Sequence, residues 1–484
     1  MRSLLLGLTE TKSFQTLEEI LGIVLRLPTE PLIVKSVIFL INDIGGNFKE
    51  IEKSFPAALE YLMTKGINDG LNSPFFIDSN AVECFSNISA ECYELFTREL
   101  ILPTMQICDN ILPKIKSNLV DKLIEALLNI INKLPKEEMG AAIKRVLSYV
   151  DNELKSLNID NTAESRQKYS KCVIIWASAL NSLSSIDSGF LNKVLGEMVI
   201  QALDIICRGL VVYRSQDGVI TAVSLFFKRI IKAFTCFSDP YFPIIANCIL
   251  QCYSPGHEDC LGVISNAISI IGNEVNTRAW IEANYINLFG LLISYLEAKP
   301  EPEIIVGLFE IQAKLYESGN PALNNIQVVS KTLETVCRLL PIMTTRNSCK
   351  AVLQFTQLFF QQESEEWKQI LFPYARPMTK AILLGLGNIN SNTFMILAML
   401  VDVLKGKYFQ EYYNGVVEGL QSPLYSSFSE KEKERLLYCF LNAESSPSIM
   451  IKQFFFSLAN ILKGLGTFDS IIMTEIAIAS SKRA

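Results

Sequence analysis

Apolar residues recur by threes and fours along almost the whole of this 484-residue chain, and short turns break the pattern at close intervals. The clearest example runs from Ser117 to Leu157. Val120, Leu123, Ile124, Leu127, Leu128, Ile131 and Leu134 form one stripe, and Pro135 then stops the helix because it lacks a donor and clashes with the preceding turn. Glu137 and Glu138 open a second helix at its positive end, with Ile143, Val146, Leu147, Val150, Leu154 and Leu157 as its stripe. Two helices joined so tightly must run antiparallel. Thr29 is placed to cap a helix with Pro31 in its first turn and Gly45-Gly46 at its end. Leu-Pro steps at 27–28, 102–103, 112–113 and 340–341 read as further terminators. Later pairs fall at 189–214 with 216–235, 240–253 with 257–273, 277–297 with 302–318, 321–340 with 346–361, and 366–387 with 391–405.

A chain of this length exceeds what one hydrophobic core supports, so it must divide or build its core lengthwise. The repeat period of about 40 residues lies in the range of HEAT and armadillo arrays. The pattern therefore predicts an all-α fold, a HEAT/ARM-type α-α superhelical solenoid of about ten antiparallel helix pairs. No linker divides it, so residues 1–484 read as a single solenoid.

Composition narrows the function. A net charge of −6 disfavours direct nucleic-acid binding. The mean hydropathy of +0.27 raises the question of a membrane. The longest uncharged stretches, Ala233–Gly256 and Ala381–Val401, are interrupted by Asp239 and prolines or by the turn at Gly387–Asn392, so neither predicts a membrane-inserted helix. Met1–Thr9 has too short an apolar run for a signal peptide. The twelve cysteines lie mostly on apolar helix faces, as reduced interior thiols do. The sequon at Asn87 sits inside a helical pattern and reads as accidental.

Catalytic chemistry finds little anchorage. His257 is the single histidine, and Cys248, Cys252, His257 and Cys260 give a C-x3-C-x4-H-x2-C order loosely like a zinc knuckle. Cys248 and Cys252 are one helical turn apart, unlike the tight pair on a turn from which structural zinc sites usually start. The order therefore reads as a loop histidine beside core thiols. Gly385-Leu386-Gly387 and Gly464-Leu465-Gly466 end helical stripes without a Walker lysine, so they are helix stops. The expectation is a non-enzyme with no cofactor and no metal. Charged helix faces are more informative. Lys228, Arg229 and Lys232 follow the apolar run Val219–Phe227, and Lys228 and Lys232 are one turn apart. A second basic group is Arg166, Lys168 and Lys171; acidic groups stand at Glu363–Glu366 and Glu430–Glu434.

Several stretches, in order, carry a resemblance. Leu25-Arg26-Leu27-Pro28 precedes a helix ending Val37-Ile38-Phe39-Leu40-Ile41-Asn42-Asp43-Ile44-Gly45-Gly46-Asn47-Phe48, and Leu59-Glu60-Tyr61-Leu62-Met63 follows. Asn80–Cys92 is similar to a helix of the type A-x-x-A-x-x-N-I-C-x-x-C, and Lys133-Leu134-Pro135 leads into a long amphipathic helix. Together these resemble the central repeats of the transportin-SR/importin-thirteen branch of the importin-beta superfamily, over residues 14–400. The resemblance implies a non-catalytic nuclear transport receptor, or karyopherin, that shuttles between nucleus and cytoplasm. It carries protein cargo and meets nucleoporin Phe-Gly repeats at grooves between outer helices.

Receptors of that family are about twice this long, and their N-terminal half holds the repeats that bind the GTPase Ran. This chain matches the C-terminal half, so contact with Ran is expected only through the missing N-terminal part. The chain is then a piece of a receptor or a form released from Ran control. In transportin-SR an arginine-rich helix of this half grips phosphorylated Arg-Ser cargo; its place here is 221–234, where Lys228, Arg229 and Lys232 remain beside Ala222 and Leu225. These three lysine and arginine residues are the expected cargo-binding site, for Arg-Ser-rich or for acidic or phosphorylated cargo. The alternative is a HEAT-repeat scaffold that bridges the subunits of a stable complex.

Overall fold

The computed structural model describes residues 13–71, 77–443 and 449–481, and among them no strand occurs. The chain clusters into two compact units, Met1–Cys252 and Tyr253–Ala484.

In the first unit α1 (Phe14–Val24) and α2 (Pro31–Ile44) are followed by α3 (Phe55–Tyr61), which widens into a π turn over Leu62–Asn68. Then come α4 (Ile77–Glu91), α5 (Arg98–Ile111), α6 (Val120–Ile131), α7 (Lys136–Ser156), α8 (Ala163–Leu183), α9 (Ser188–Val212), α10 (Asp217–Phe234) and α11 (Phe242–Cys252). Helices α2, α4, α6, α8 and α10 pack side by side as one row; α7, α9 and α11 form a second row behind it. The stripe read from the sequence is what holds the rows together. Leu123, Ile124, Leu127, Leu128 and Ile131 of α6 are fully buried, each contributing about 1.5–3 kcal/mol by burial.

The second unit repeats the plan with α12 (Glu258–Ile271), α13 (Val275–Ala298), α14 (Pro302–Glu317), α15 (Ile326–Leu339), α16 (Arg346–Phe360), α17 (Glu365–Gly385), α18 (Phe394–Lys407) and α19 (Phe409–Leu420). Helices α20 (Glu430–Asn442), α21 (Ile449–Leu462) and α22 (Asp469–Ser481) complete it. One row is α12, α14, α16 and α18, and the other is α13, α15, α17 and α19. Side-chain oxygens cap several starts: Asn325 accepts from Gln327 and Val328, Ser364 from Trp367, and Ser429 with Glu432 closes a capping box.

Cross-repeat bonds fix the spacing of the array. The Asn87 side chain donates to Asn42 at 2.9 Å across 45 residues, and Cys92 Sγ donates to the Gly45 carbonyl across 47. In the second unit Lys407 Nζ donates to the Gln361 carbonyl at 2.6 Å across 46 residues, and Asn388 donates to the Pro341 carbonyl across 47. Other bonds between repeats span 38 to 53 residues, around the expected period. The Asn87 bond also gives the sequon asparagine a packing role.

Two local expectations are corrected. Thr29 does not cap α2: Glu30 occupies the N-cap position without a side-chain bond, and Pro31 opens the helix. Leu102-Pro103 does not end a helix. Pro103 lies inside α5, where the missing donor costs a single bond to the Glu99 carbonyl near the helix start. Pro373 and Pro377 similarly lie inside α17.

Residues Pro31–Glu50 are long and apolar enough to cross a membrane by length and hydropathy alone. Within that span Val34, Val37, Ile38, Leu40, Ile41, Ile44 and Phe48 are buried, and α2 packs on α4, as in a core helix of the stack.

Candidate protein-binding surface

The exposed residues of the first unit's front row mark its open face. On α10 those positions are Gly218, Thr221, Leu225, Lys228, Arg229 and Lys232, spaced by threes and fours. The opposite side of α10, with Val219, Ile220, Val223, Phe226, Phe227, Ile230 and Ile231, is buried. The three predicted cations therefore share one helix and one face. Lys232 is exposed, and Lys228 and Arg229 are half-buried.

The face changes sign along the row. Glu83 of α4 and Asp121 and Glu125 of α6 make its acidic side, and Lys122 bridges to Glu83 at 3.5 Å. Arg166 and Lys171 of α8 and the three cations of α10 make its basic side. Burial holds the Glu125 carboxyl above its ordinary value; the nearby Asp121 adds to the rise, and Arg229 partly offsets it. Burial likewise holds the Lys171 ammonium below its ordinary value.

The second basic group divides. Lys168 pairs with Glu164 at 2.7 Å, one turn back on its own helix, with both side chains in solvent. Arg166 and Lys171 instead line a cavity of about 550 Å³ among α6, α8 and α10, with Asp121, Gln167, Ser170, Ile174, Gln216 and Gly218 among its walls. Sequence reasoning missed the lining from α6 and from the start of α10. Its signal was the repeat spacing, since positions 121, 167–171 and 216–218 recur at close to one cross-repeat interval.

Nine of the twelve thiols are buried, and Cys236 is exposed. All twelve cysteines are free; Cys248 Sγ donates to the Cys207 carbonyl at 3.6 Å, and Cys252 is buried one turn later. The Cys252 thiol is pushed well above its ordinary value, chiefly by its bond with Cys248 and then by burial. His257 occupies the N-cap position of α12. Among the described residues no group of three or more His, Cys, Asp and Glu side chains is placed to hold a metal ion.

Paired helices stacked in two rows, and bonded to one another one repeat apart, define a HEAT-type α-solenoid fold. The chain superposes on the cytosolic state of Importin13 with a TM-score of 0.73 and 13% identity, covering 92% of this chain and 52% of that one. It also superposes on importin beta with a TM-score of 0.53 and 12% identity, covering 88% of this chain and 53% of that one. The chain thus spans about half the length of either structure. No protein-family model and no curated protein matches its sequence.

Proposed function

We propose that this chain is the cargo-binding part of an importin-type nuclear transport receptor, working without catalysis as one repeat array over residues 1–484. The observation that carries this reading is the superposition on Importin13 across nearly the whole chain. At such low identity the likeness is of fold, so the functional reading also leans on the two-signed face. An extended solenoid surface binds protein through many weak contacts shared along its length. On this reading the chain corresponds to the C-terminal half of the transportin-SR/importin-thirteen branch. Ran acts through the other half, and the protein shuttles between nucleus and cytoplasm.

Lys228, Arg229 and Lys232 are the residues assigned to acidic or phosphorylated cargo; the depleted basic helix makes Arg-Ser specificity the weaker option. Exposed apolar side chains on the row behind, Ile200, Val211 and Val212 of α9 and Ile244 of α11, are the surface assigned to nucleoporin Phe-Gly repeats. The test is capture of proteins from cytosol on the immobilised chain, with and without Lys228→Glu, Arg229→Glu and Lys232→Glu together, over a salt series. Loss of captured proteins and of their salt dependence in the variant supports the reading. An unchanged set removes the α10 assignment. A set that survives high salt and stays in one stoichiometric complex favours the scaffold.

A further inference from the structure

The cavity among α6, α8 and α10 holds two cations without an ion-pair partner. Arg166 and Lys171 form no ion pair, whereas Lys168 on the same helix and Lys122 on α6 do. Lys171 is also partly desolvated, which raises the cost of leaving its charge unmatched. Asp121, the one acid in the lining, and Glu153 both act on Lys171 by charge, but neither makes an ion pair with it, and Asp121 Oδ1 is buried without a partner. The net charge of the lining is therefore one positive. Around the cations stand the amides of Asn118, Gln167 and Gln216 and the hydroxyl of Ser170, which can both donate to and accept from a peptide main chain. Ile174, 39% exposed, gives an apolar step beside Lys171. Gly218 leaves open space where a side chain would stand, so a bound main chain can approach α10 there. The volume lies in the usual range for a ligand site.

We infer that this cavity is an acidic-peptide subsite: it takes a Glu or Asp side chain between Arg166 and Lys171, with an aliphatic neighbour against Ile174. The fork of Arg166 matches a carboxylate. A phosphorylated side chain has the same donors to use but brings close to two charges against Asp121, so the carboxylate is preferred. This inference rests on the reading of the α2–α10 face as a protein-binding surface, and it adds the ligand class and the residues that read it.

The experiment uses the full chain and a short fluorescein-labelled peptide alternating Glu and Leu, followed by anisotropy. A Gln-for-Glu peptide and a phosphoserine-for-Glu peptide are the comparisons. The wild-type chain is expected to bind the Glu peptide best. Arg166→Ala with Lys171→Met should weaken it by about tenfold or more, the worth of a charge-assisted hydrogen bond. Lys168→Met, which removes a paired outward lysine, should leave binding within about twofold, and Asp121→Asn should improve the phosphoserine peptide more than the Glu peptide. Unaltered melting of each variant shows that the fold is intact.

Equal binding by Arg166→Ala/Lys171→Met and wild type overturns the subsite, as does an equal loss in Lys168→Met or preferential binding of a single-stranded oligonucleotide in competition. If the Lys228/Arg229/Lys232 charge reversal abolishes peptide binding while Arg166→Ala/Lys171→Met does not, the receptor reading stands and this subsite falls. If neither pair of changes matters and cytosolic capture fails as well, both fall.

Discussion

Gly209 offers a direct test of how tightly α8 and α9 interlock. A methyl group added there would meet Cε2 of Tyr169, with Cζ at 2.6 Å and Cδ2 at 2.8 Å. The ring has no room to yield: Tyr169 is fully buried, its hydroxyl donates to the Ile206 carbonyl at 2.5 Å, and Tyr213 lies 5.2 Å away ring to ring. Two effects oppose each other in Gly209→Ala. The helix gains about 0.8–1 kcal/mol from replacing glycine in its interior. Overpacking costs about 1–3 kcal/mol, and displacing the hydroxyl from Ile206 adds about 1–3 kcal/mol for a buried polar group left without its partner. The clash wins, for a net loss of about 3 kcal/mol. At roughly 2–4 °C per kcal/mol for a unit of this size, melting should fall by about 6–12 °C. Gly290 on α13 is the control, because a methyl group there meets nothing within 4 Å and the position is exposed. Gly290→Ala should stabilise by about 0.5–1 kcal/mol. Hydrogen exchange adds a spatial check, since in a stack the damage should appear first in α8, α9 and their neighbours. A Gly209→Ala chain that melts at or above the wild-type temperature would refute the packing argument.

Four further outcomes follow from the same structure. Gln312 Nε2 donates to Thr332 Oγ1 at 2.8 Å in a fully buried pair between α14 and α15, so Thr332→Val should cost about 1–3 kcal/mol in denaturant unfolding, and adding Gln312→Met should recover much of it. Iodoacetamide at pH 8 should label exposed Cys236 first in the native chain, as read by mass spectrometry, because burial raises Cys172 to about 11 and Cys439 to about 12. Those raised values mean the unfolded chain gives up thiol protons first; the stability is complete below the ordinary thiol range near 9, and melting should fall as pH rises from there through 11–12. Finally, Ser429→Ala should cost about 1 kcal/mol and fray α20 in hydrogen exchange, since it opens the capping box with Glu432.

Most of the stack was legible in the sequence because each helix announces itself twice, by its stripe and by its stop. The pair expected at 189–214 and 216–235 is α9 and α10 to within two residues at each end. Prolines misled where the local rule is too strict. Pro103 reads as a stop but lies five residues into α5, close to the end where donors are least needed. The candidate surface was half legible. Lys228, Arg229 and Lys232 stand close in sequence on one helix face, so periodicity finds them. The α6–α8–α10 cavity draws on three helices, and nothing local to Asp121, Arg166 or Gln216 marks them as neighbours. Their register follows from the repeat spacing, which bonds across 45 to 47 residues mark elsewhere in the array.

The nearest-neighbour packing also bears on how such a chain can change over time. A substitution in a stack answers only to the helices beside it, so any apolar residue of suitable size on a stripe is acceptable if its immediate partners adjust. Drift can then proceed repeat by repeat, with no distant region vetoing it. Architecture can then be kept while sequence is overwritten. A backbone can lie over that of Importin13 while only 13% of the aligned residues agree.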